Sequence, residues 1–411
     1  MSALLCLLGI VIIWTLLNLA YKTRKEWFQK HNIEVGFISL MWRSSVAEKW
    51  MRFTEKHSKA INIYGHITIP IALATLAFAL KIYLEDFIAL IRILTKPKVP
   101  AAPGGAPPAA LPTPMIPIIP GLTVSFDIVP YLLVALAIGA FLHELSHLML
   151  SFRENIPVKS WGIMIFLVIP IPFVEPVEEE FKKKPLMSKI KVYTSGPATN
   201  TILALISLGL VLLLIAVSYN ITMYPYIVDL MPGYPAEQAG VPKGVVVLSV
   251  NNSSVMVKPS PIDVVFNPYI GLSKFMKELS KYKSKNASIT LVLSKPGMMN
   301  KTFTITLFKN ASLDKIGVYV SIYTDIKTKI PFMETMVPYM LTTLMWLFIV
   351  NLGLALINIT PLFITDGGKI VSDFLEAKIK NKTTAKTIAN IIQAIMVIMV
   401  LSIIMYSTLR L

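Results

Sequence analysis

His143-Glu144-Leu145-Ser146-His147 interrupts an apolar run, Ile128 to Leu150, that is long enough to cross a membrane. On a helix, positions i and i+4 share a face. His143 and His147 can therefore point both imidazoles at one metal ion. Glu144 lies beside them, where a carboxylate can take a proton from a metal-bound water. A charged side chain at mid-membrane costs roughly 2.5–3.5 kcal/mol on insertion scales, so three ionisable residues in one apolar segment point to chemistry. The bland alternative is two histidines and a glutamate with no metal role. A catalytic zinc takes a third protein ligand and leaves one position for water. The other histidines, His31, His57 and His66, all sit in or beside one basic loop, so the third ligand is sought among carboxylates. Asp366 is the best candidate, in Asn358-Ile-Thr-Pro-Leu-Phe-Ile-Thr-Asp-Gly-Gly368 at the end of another apolar stretch. Its plain alternative is a turn residue before Gly367-Gly368.

The elements that must position these residues are membrane helices. Of the 411 residues 55% are hydrophobic, above the ~45–50% of soluble domains. Six apolar spans are expected, near Leu4–Leu17, Ile61–Leu94, Val129–Phe152, Ala198–Val217, Met336–Leu362 and Ile388–Leu409. The first lacks the basic flank and the cleavage site of a signal peptide, so a retained transmembrane helix is expected. The second is too long for one straight span and is expected to tilt, or to reach the interface from Tyr83. The single cysteine, Cys6, excludes a disulfide framework and a thiolate zinc site.

The net charge of +16 comes from lysines and arginines clustered between apolar segments. That is the positive-inside pattern, with anionic lipid rather than nucleic acid as the partner. The basic loops 21–65, 153–191 and the one following Asp366 alternate correctly with the spans if all three are cytoplasmic. Both termini and residues 218–334 then lie outside, and Asp366 shares the cytoplasmic side with His147. Asn-x-Ser/Thr triplets at Asn220, Asn251, Asn252, Asn286, Asn300 and Asn310 agree with an outside location for the latter.

The expected organisation is a transmembrane appendage over 1–96, a Pro/Ala-rich linker over 97–120, a membrane core in two parts over 121–225 and 324–411, and a soluble domain over 226–323. In that domain Val245–Val250, Ser288–Leu293, Phe303–Leu307 and Ile316–Val320 read as strands and Gly271–Tyr282 as a helix. Ser160–Pro176 is apolar but rich in β-branched residues and proline. It reads as a re-entrant strand hairpin whose edge can pair with an extended peptide.

Four motifs, in order, resemble the site-2 protease type of intramembrane zinc metalloprotease, over about residues 121–411. They are His143–His147, Gly196-Pro197-Ala198-Thr199-Asn200 at the start of a later helix, a PDZ-like Pro232–Gly244 segment followed by a strand, and Asn358, Pro361, Asp366 and Gly367. The resemblance implies zinc held by His143, His147 and Asp366, with Glu144 as the catalytic acid and base. It implies a polytopic α-helical membrane protein with a re-entrant β-hairpin and an inserted α+β PDZ-like domain, cutting transmembrane segments of other membrane proteins. The sequence departs from the family in Ser146 for glycine and in Thr365 before Asp366, where a hydroxyl can hydrogen-bond the ligand. Val245-Val246 also follow Gly244, where an acidic residue is common. Asn358 is a candidate for holding the substrate strand or the oxyanion, or is simply a polar residue that breaks the helix beside water. The alternative function is a non-catalytic membrane scaffold or metal carrier on the same fold.

Overall fold

The computed structural model describes residues 2–44, 48–95, 117–119, 121–167, 169–267, 269–283, 285–313 and 315–408. Almost all of the linker expected at 97–120 lies outside them, as do the side chains of residues 2–7. Contacts divide the chain into two units. One joins Met1–Leu208 with Thr342–Leu411, and the other is Gly209–Leu341.

The first unit opens with α1 (Ser2–Thr23) and α2 (Lys25–Lys30), a hairpin of β1 (Ile33–Val35) and β2 (Ser39–Ser44), α3 (Glu48–Lys56) and α4 (Ser58–Thr95). Helix α4 is one continuous helix through Tyr83. Its 38 residues run on through Pro70, about 57 Å at 1.5 Å per residue. Next come α5 (Val129–Arg153), β3 (Val158–Phe166), β4 (Ile169–Pro176), α6 (Glu178–Lys182) and α7 (Leu186–Ser218). Asn155, at φ 53°, closes α5 in the left-handed conformation that asparagine tolerates.

The expected two-stranded hairpin is half of a four-stranded antiparallel sheet ordered β1-β2-β3-β4. Strand β2 pairs with β3 from Ser39↔Phe166 to Ser44↔Trp161, which satisfies backbone groups that β3 would otherwise leave bare. Glu175 of β4 accepts from Ser160 of β3 and from Arg43 of β2. The Ser160 hydroxyl first, and Arg43 after it, hold the Glu175 carboxyl below the usual carboxylate range against its partial burial. Pro170 and Pro172 pair with Ile165 and Ile163. Having no N–H, they must occupy the outward-facing positions, so the free edge of β4 there accepts hydrogen bonds but donates none. Helix α1 closes over both hairpin turns, with Trp14 Nε1 donating to Leu167 O at 2.9 Å and Asn18 Nδ2 to Phe37 O at 3.0 Å.

The second unit is an antiparallel sheet ordered β10-β5-β6-β8-β9, with β7 (Ser253–Ser254) beside β6. Its strands are β5 (Tyr219–Leu230), β6 (Val245–Val250), β8 (Ala287–Ser294), β9 (Thr302–Lys309) and β10 (Val318–Thr328). Between them lie α8 (Pro235–Gln238), α9 (Pro261–Phe266) and α10 (Ile270–Ser280). Alternate strand residues, among them Val245, Val247, Ile289, Leu291 and Leu293, pack with Phe275 of α10 into one core. The domain is longer than the expected 226–323, because β5 and β10 pair along their whole length, out to Tyr219↔Thr328.

The chain returns to the first unit through α11 (Met336–Ile359), followed by α12 (Asp366–Lys378) and α13 (Lys382–Thr408). Asn358 does not break α11. It lies in the last helical turn, and the break is Thr360–Thr365 with Pro361 inside it. Gly367 and Gly368 fit against this segment so closely that a Cβ on either would run into Ile359 O or Leu362 O.

Ala72, Ala79, Tyr83 and Leu90 of α4 pack with Ile359 and with Met396, Val400 and Ile403 of α13. The first 96 residues are therefore no appendage; they supply two strands of the sheet and one wall of the helical core. Among the described residues five helices are long and apolar enough to cross a membrane: Ser58–Thr95, Phe126–Arg153, Leu186–Ser218, Met336–Ile359 and Lys382–Thr408. The Leu8–Thr23 part of α1 is apolar as well. Outward positions such as Leu73, Leu205 and Ile398 are as apolar as the inward ones, as a lipid surround requires.

Candidate metal centre

Three helices of the first unit bring the candidate ligands together. His143 and His147 lie one turn apart on α5, with ring centroids 4.7 Å apart. Asp366 is the first residue of α12. Thr365 caps that helix, its Oγ1 accepting from Gly368 N and donating to Thr360 O at 2.6 Å. The Thr365 hydroxyl is thus spent on the cap and does not hold the Asp366 carboxylate, contrary to the expectation from the motif. Asp366 begins a helix rather than ending one.

Asp366 Oδ2 lies 3.2 Å from His143 Nε2 and 3.2 Å from His147 Nε2. One ligand atom from each of the three residues falls within a group spanning 4.8 Å. Donors about 2.0–2.1 Å from a tetrahedral zinc lie about 3.3–3.4 Å from each other, so the spacing fits. The protonation pattern fits as well. His147 Nδ1 lies 2.7 Å from Val192 O. A carbonyl only accepts, so Nδ1 carries the proton and the neutral ring turns the Nε2 lone pair toward the carboxylate. Two acceptors at that separation need a cation between them.

His143 is held similarly. Its Nδ1 is 3.2 Å from the Asn200 amide, and Asn200 Oδ1 is buried without another partner among the described residues. The amide orientation that satisfies both groups sets Oδ1 against Nδ1–H and frees Nε2 for a metal.

The third side of the cradle is Gly196 on α7. A Cβ there would fall against His143 Nε2, 2.5 Å from His143 Cε1 and 2.6 Å from His147 Nε2. Gly196-Pro197 therefore lies inside α7, which begins at Leu186, and not at a helix start. Asn200 is one turn further on, on the same face. Lys369 Nζ binds the other Asp366 oxygen, Oδ1, at 3.2 Å and lies 5.8 Å from the centre of the Tyr193 ring. Glu144 is half-buried beside the ligands, and among the described residues nothing hydrogen-bonds its carboxylate. Asn358 is half-buried and makes no hydrogen bond to the three ligand side chains. The roles of Gly196, Asn200, Val192 and Lys369 escape a reading of spacing alone; the one local signal is the i, i+4 pair Gly196 and Asn200.

The family model of peptidase family M50 matches residues 131–403. A Methanocaldococcus jannaschii protein, described as uncharacterized, is 25% identical over 252 residues, 61% of this chain and 59% of that protein. The chain thus spans 59% of the length of that curated relative. A match of this extent, over a site of two histidines and an aspartate compatible with zinc, makes the chain a member of peptidase family M50, the site-2 protease family of zinc metalloproteases.

Proposed function

We propose that the chain is a zinc-dependent endopeptidase that cleaves transmembrane segments of other membrane proteins, within or near the bilayer. The observation that carries this is the convergence of two imidazole lone pairs on one buried carboxylate oxygen, with a free carboxylate, Glu144, alongside. His143, His147 and Asp366 hold the zinc. When bound, zinc lowers the pKa of water toward neutrality and polarises a carbonyl. Glu144 accepts the proton of the attacking water and returns it to the leaving amine nitrogen. Asn358 steadies the substrate strand or the oxyanion. An extended substrate segment lies along the free edge of β4 and donates its N–H groups to the carbonyls of Pro170 and Pro172. The basic loops support an orientation with both termini and the inserted domain outside and with His147 and Asp366 toward the cytoplasm.

Zinc content per purified chain tests the ligand set. About one zinc is expected in the wild type and much less in Asp366→Ala. Equal zinc in both would leave Asp366 as a helix-start residue only.

The inserted domain is PDZ-like and selects substrates by bulk or by trimmed ends. Strands β5 and β10 bring Tyr219 beside Thr328, so residues 219–328 can be replaced by a short linker. That variant is expected to keep its zinc and to cut a different set of membrane substrates. An unchanged set in a proteomic comparison would reduce the domain to a spacer.

A further inference from the structure

Helix α4 lies before the stretch that the family model covers, yet its hydroxyl groups run to the metal centre. Tyr64 OH donates to Ser195 O at 3.4 Å and shares a short hydrogen bond with Thr199 Oγ1. Ser195 Oγ lies 3.2 Å from His147 Nδ1 and donates to Val192 O at 2.7 Å, the same carbonyl that receives the His147 proton. Ser146 Oγ completes this cluster, 3.3 Å from Ser195 Oγ. From one side, then, the ring of His147 is held by Val192 and Ser195, and Ser195 is held by Tyr64.

The seam between α4 and α7 continues in register. Thr68 Oγ1 lies 3.1 Å from Thr194 Oγ1, and Thr75 Oγ1 lies 2.9 Å from Thr201 Oγ1. Both pairs repeat after seven residues, two helical turns, so they recur on one face of each helix. Gly65 adjoins Tyr64, and a Cβ there would meet Leu150 Cδ1 of α5 at 2.6 Å. Small residues of this kind let membrane helices approach closely.

The chemistry of α7 explains why support is needed here. Pro197 has no N–H to give to Tyr193 O, so the helix loses one backbone restraint at the turn that carries Gly196. That turn cannot shift, because Gly196 faces both histidine rings with no room for even a methyl group. The Tyr64 hydroxyl replaces part of the missing restraint from outside the helix.

We propose that Tyr64 is a positioning residue of the metal centre, acting through Ser195 and Thr199 to fix the Gly196 turn and the ring of His147. This rests on the reading of His143, His147 and Asp366 as metal ligands. Tyr64→Phe removes one oxygen and keeps the shape of the side chain. The test is zinc affinity of the purified full chain in detergent, by competition with a chromophoric chelator, together with the visible spectrum of the cobalt-loaded form.

Tyr64→Phe is expected to bind zinc about tenfold more weakly and to alter the cobalt bands. Ser195→Ala removes the hydroxyl beside His147 Nδ1 but leaves the carbonyl that Tyr64 reaches, so it is expected to weaken zinc binding as well, and the double variant to lose more than either alone. Thr75→Val breaks the same seam about three turns along α4 from Tyr64 and is expected to keep wild-type affinity. Wild-type affinity in Tyr64→Phe, or an equal loss in Thr75→Val, would overturn the proposal while leaving the ligand set standing. A wild type that binds no zinc would overturn both.

Discussion

Glu144→Gln is expected to lose cleavage by about 10²–10⁴-fold, the usual weight of a general acid and base, and to keep its zinc. Glutamine has the size and polarity of glutamate but cannot take up a proton at the working pH. The half-buried Glu144 side chain forms no hydrogen bond or ion pair with His143, His147 or Asp366, so the substitution leaves the ligand cradle intact. Two measurements separate the outcomes: turnover of a transmembrane substrate in detergent, and zinc per chain in the same preparation. Full activity with zinc bound would remove Glu144 from the mechanism. Loss of the metal as well would make Glu144 part of the ligand set. The scaffold alternative predicts no turnover in the wild type, so the wild-type assay comes first.

Gly196→Ala is expected to abolish both zinc binding and cleavage. The added methyl would sit on His143 Nε2 and within 2.6 Å of His147 Nε2, where the metal-facing nitrogens converge. Neither ring is a loose side-chain end that can swing aside cheaply. His147 is tied to Val192 O at 2.7 Å and His143 to Asn200 at 3.2 Å. Either the rings leave their tethers or α7 moves away from α5, and both separate the donors. Gly209→Ala on the same helix is the control. A Cβ there meets nothing within 4 Å, and alanine is the better helix former by roughly 1 kcal/mol. Near-stoichiometric zinc in Gly209→Ala with almost none in Gly196→Ala would locate the effect at the cradle. Normal zinc in Gly196→Ala would mean that the rings and the glycine do not share one cavity.

The histidine pair was legible because it depends only on the helical period, which places i and i+4 on one face in any helix. Asp366 was reached by elimination among residues at the ends of apolar stretches, and its side chain does meet both histidine rings. Its local setting was read less well. Thr365 looked like a hydrogen-bond donor to the ligand but is the cap of α12. Asn358 looked like part of the break at Pro361, whereas the helix runs through Asn358 to Ile359 and the break that holds Pro361 follows it. The Ile33–Ser44 hairpin was missed because strands of three and six residues are too short to carry a usable alternation. Their reason to be strands lies in the bare edge of β3, more than a hundred residues away.

By itself the sequence determined the membrane character, the zinc-type motif on α5, the candidate third ligand and the inserted α+β domain. Hydropathy, helical period and turn chemistry are local properties that a chain carries before it folds. Only the tertiary structure decided which groups hold the histidine rings, why residue 196 must be glycine, and that α4 belongs to the site. Those depend on clearances of a few tenths of an ångström between helices distant in the chain, and on which hydroxyls face one another once the helices have packed.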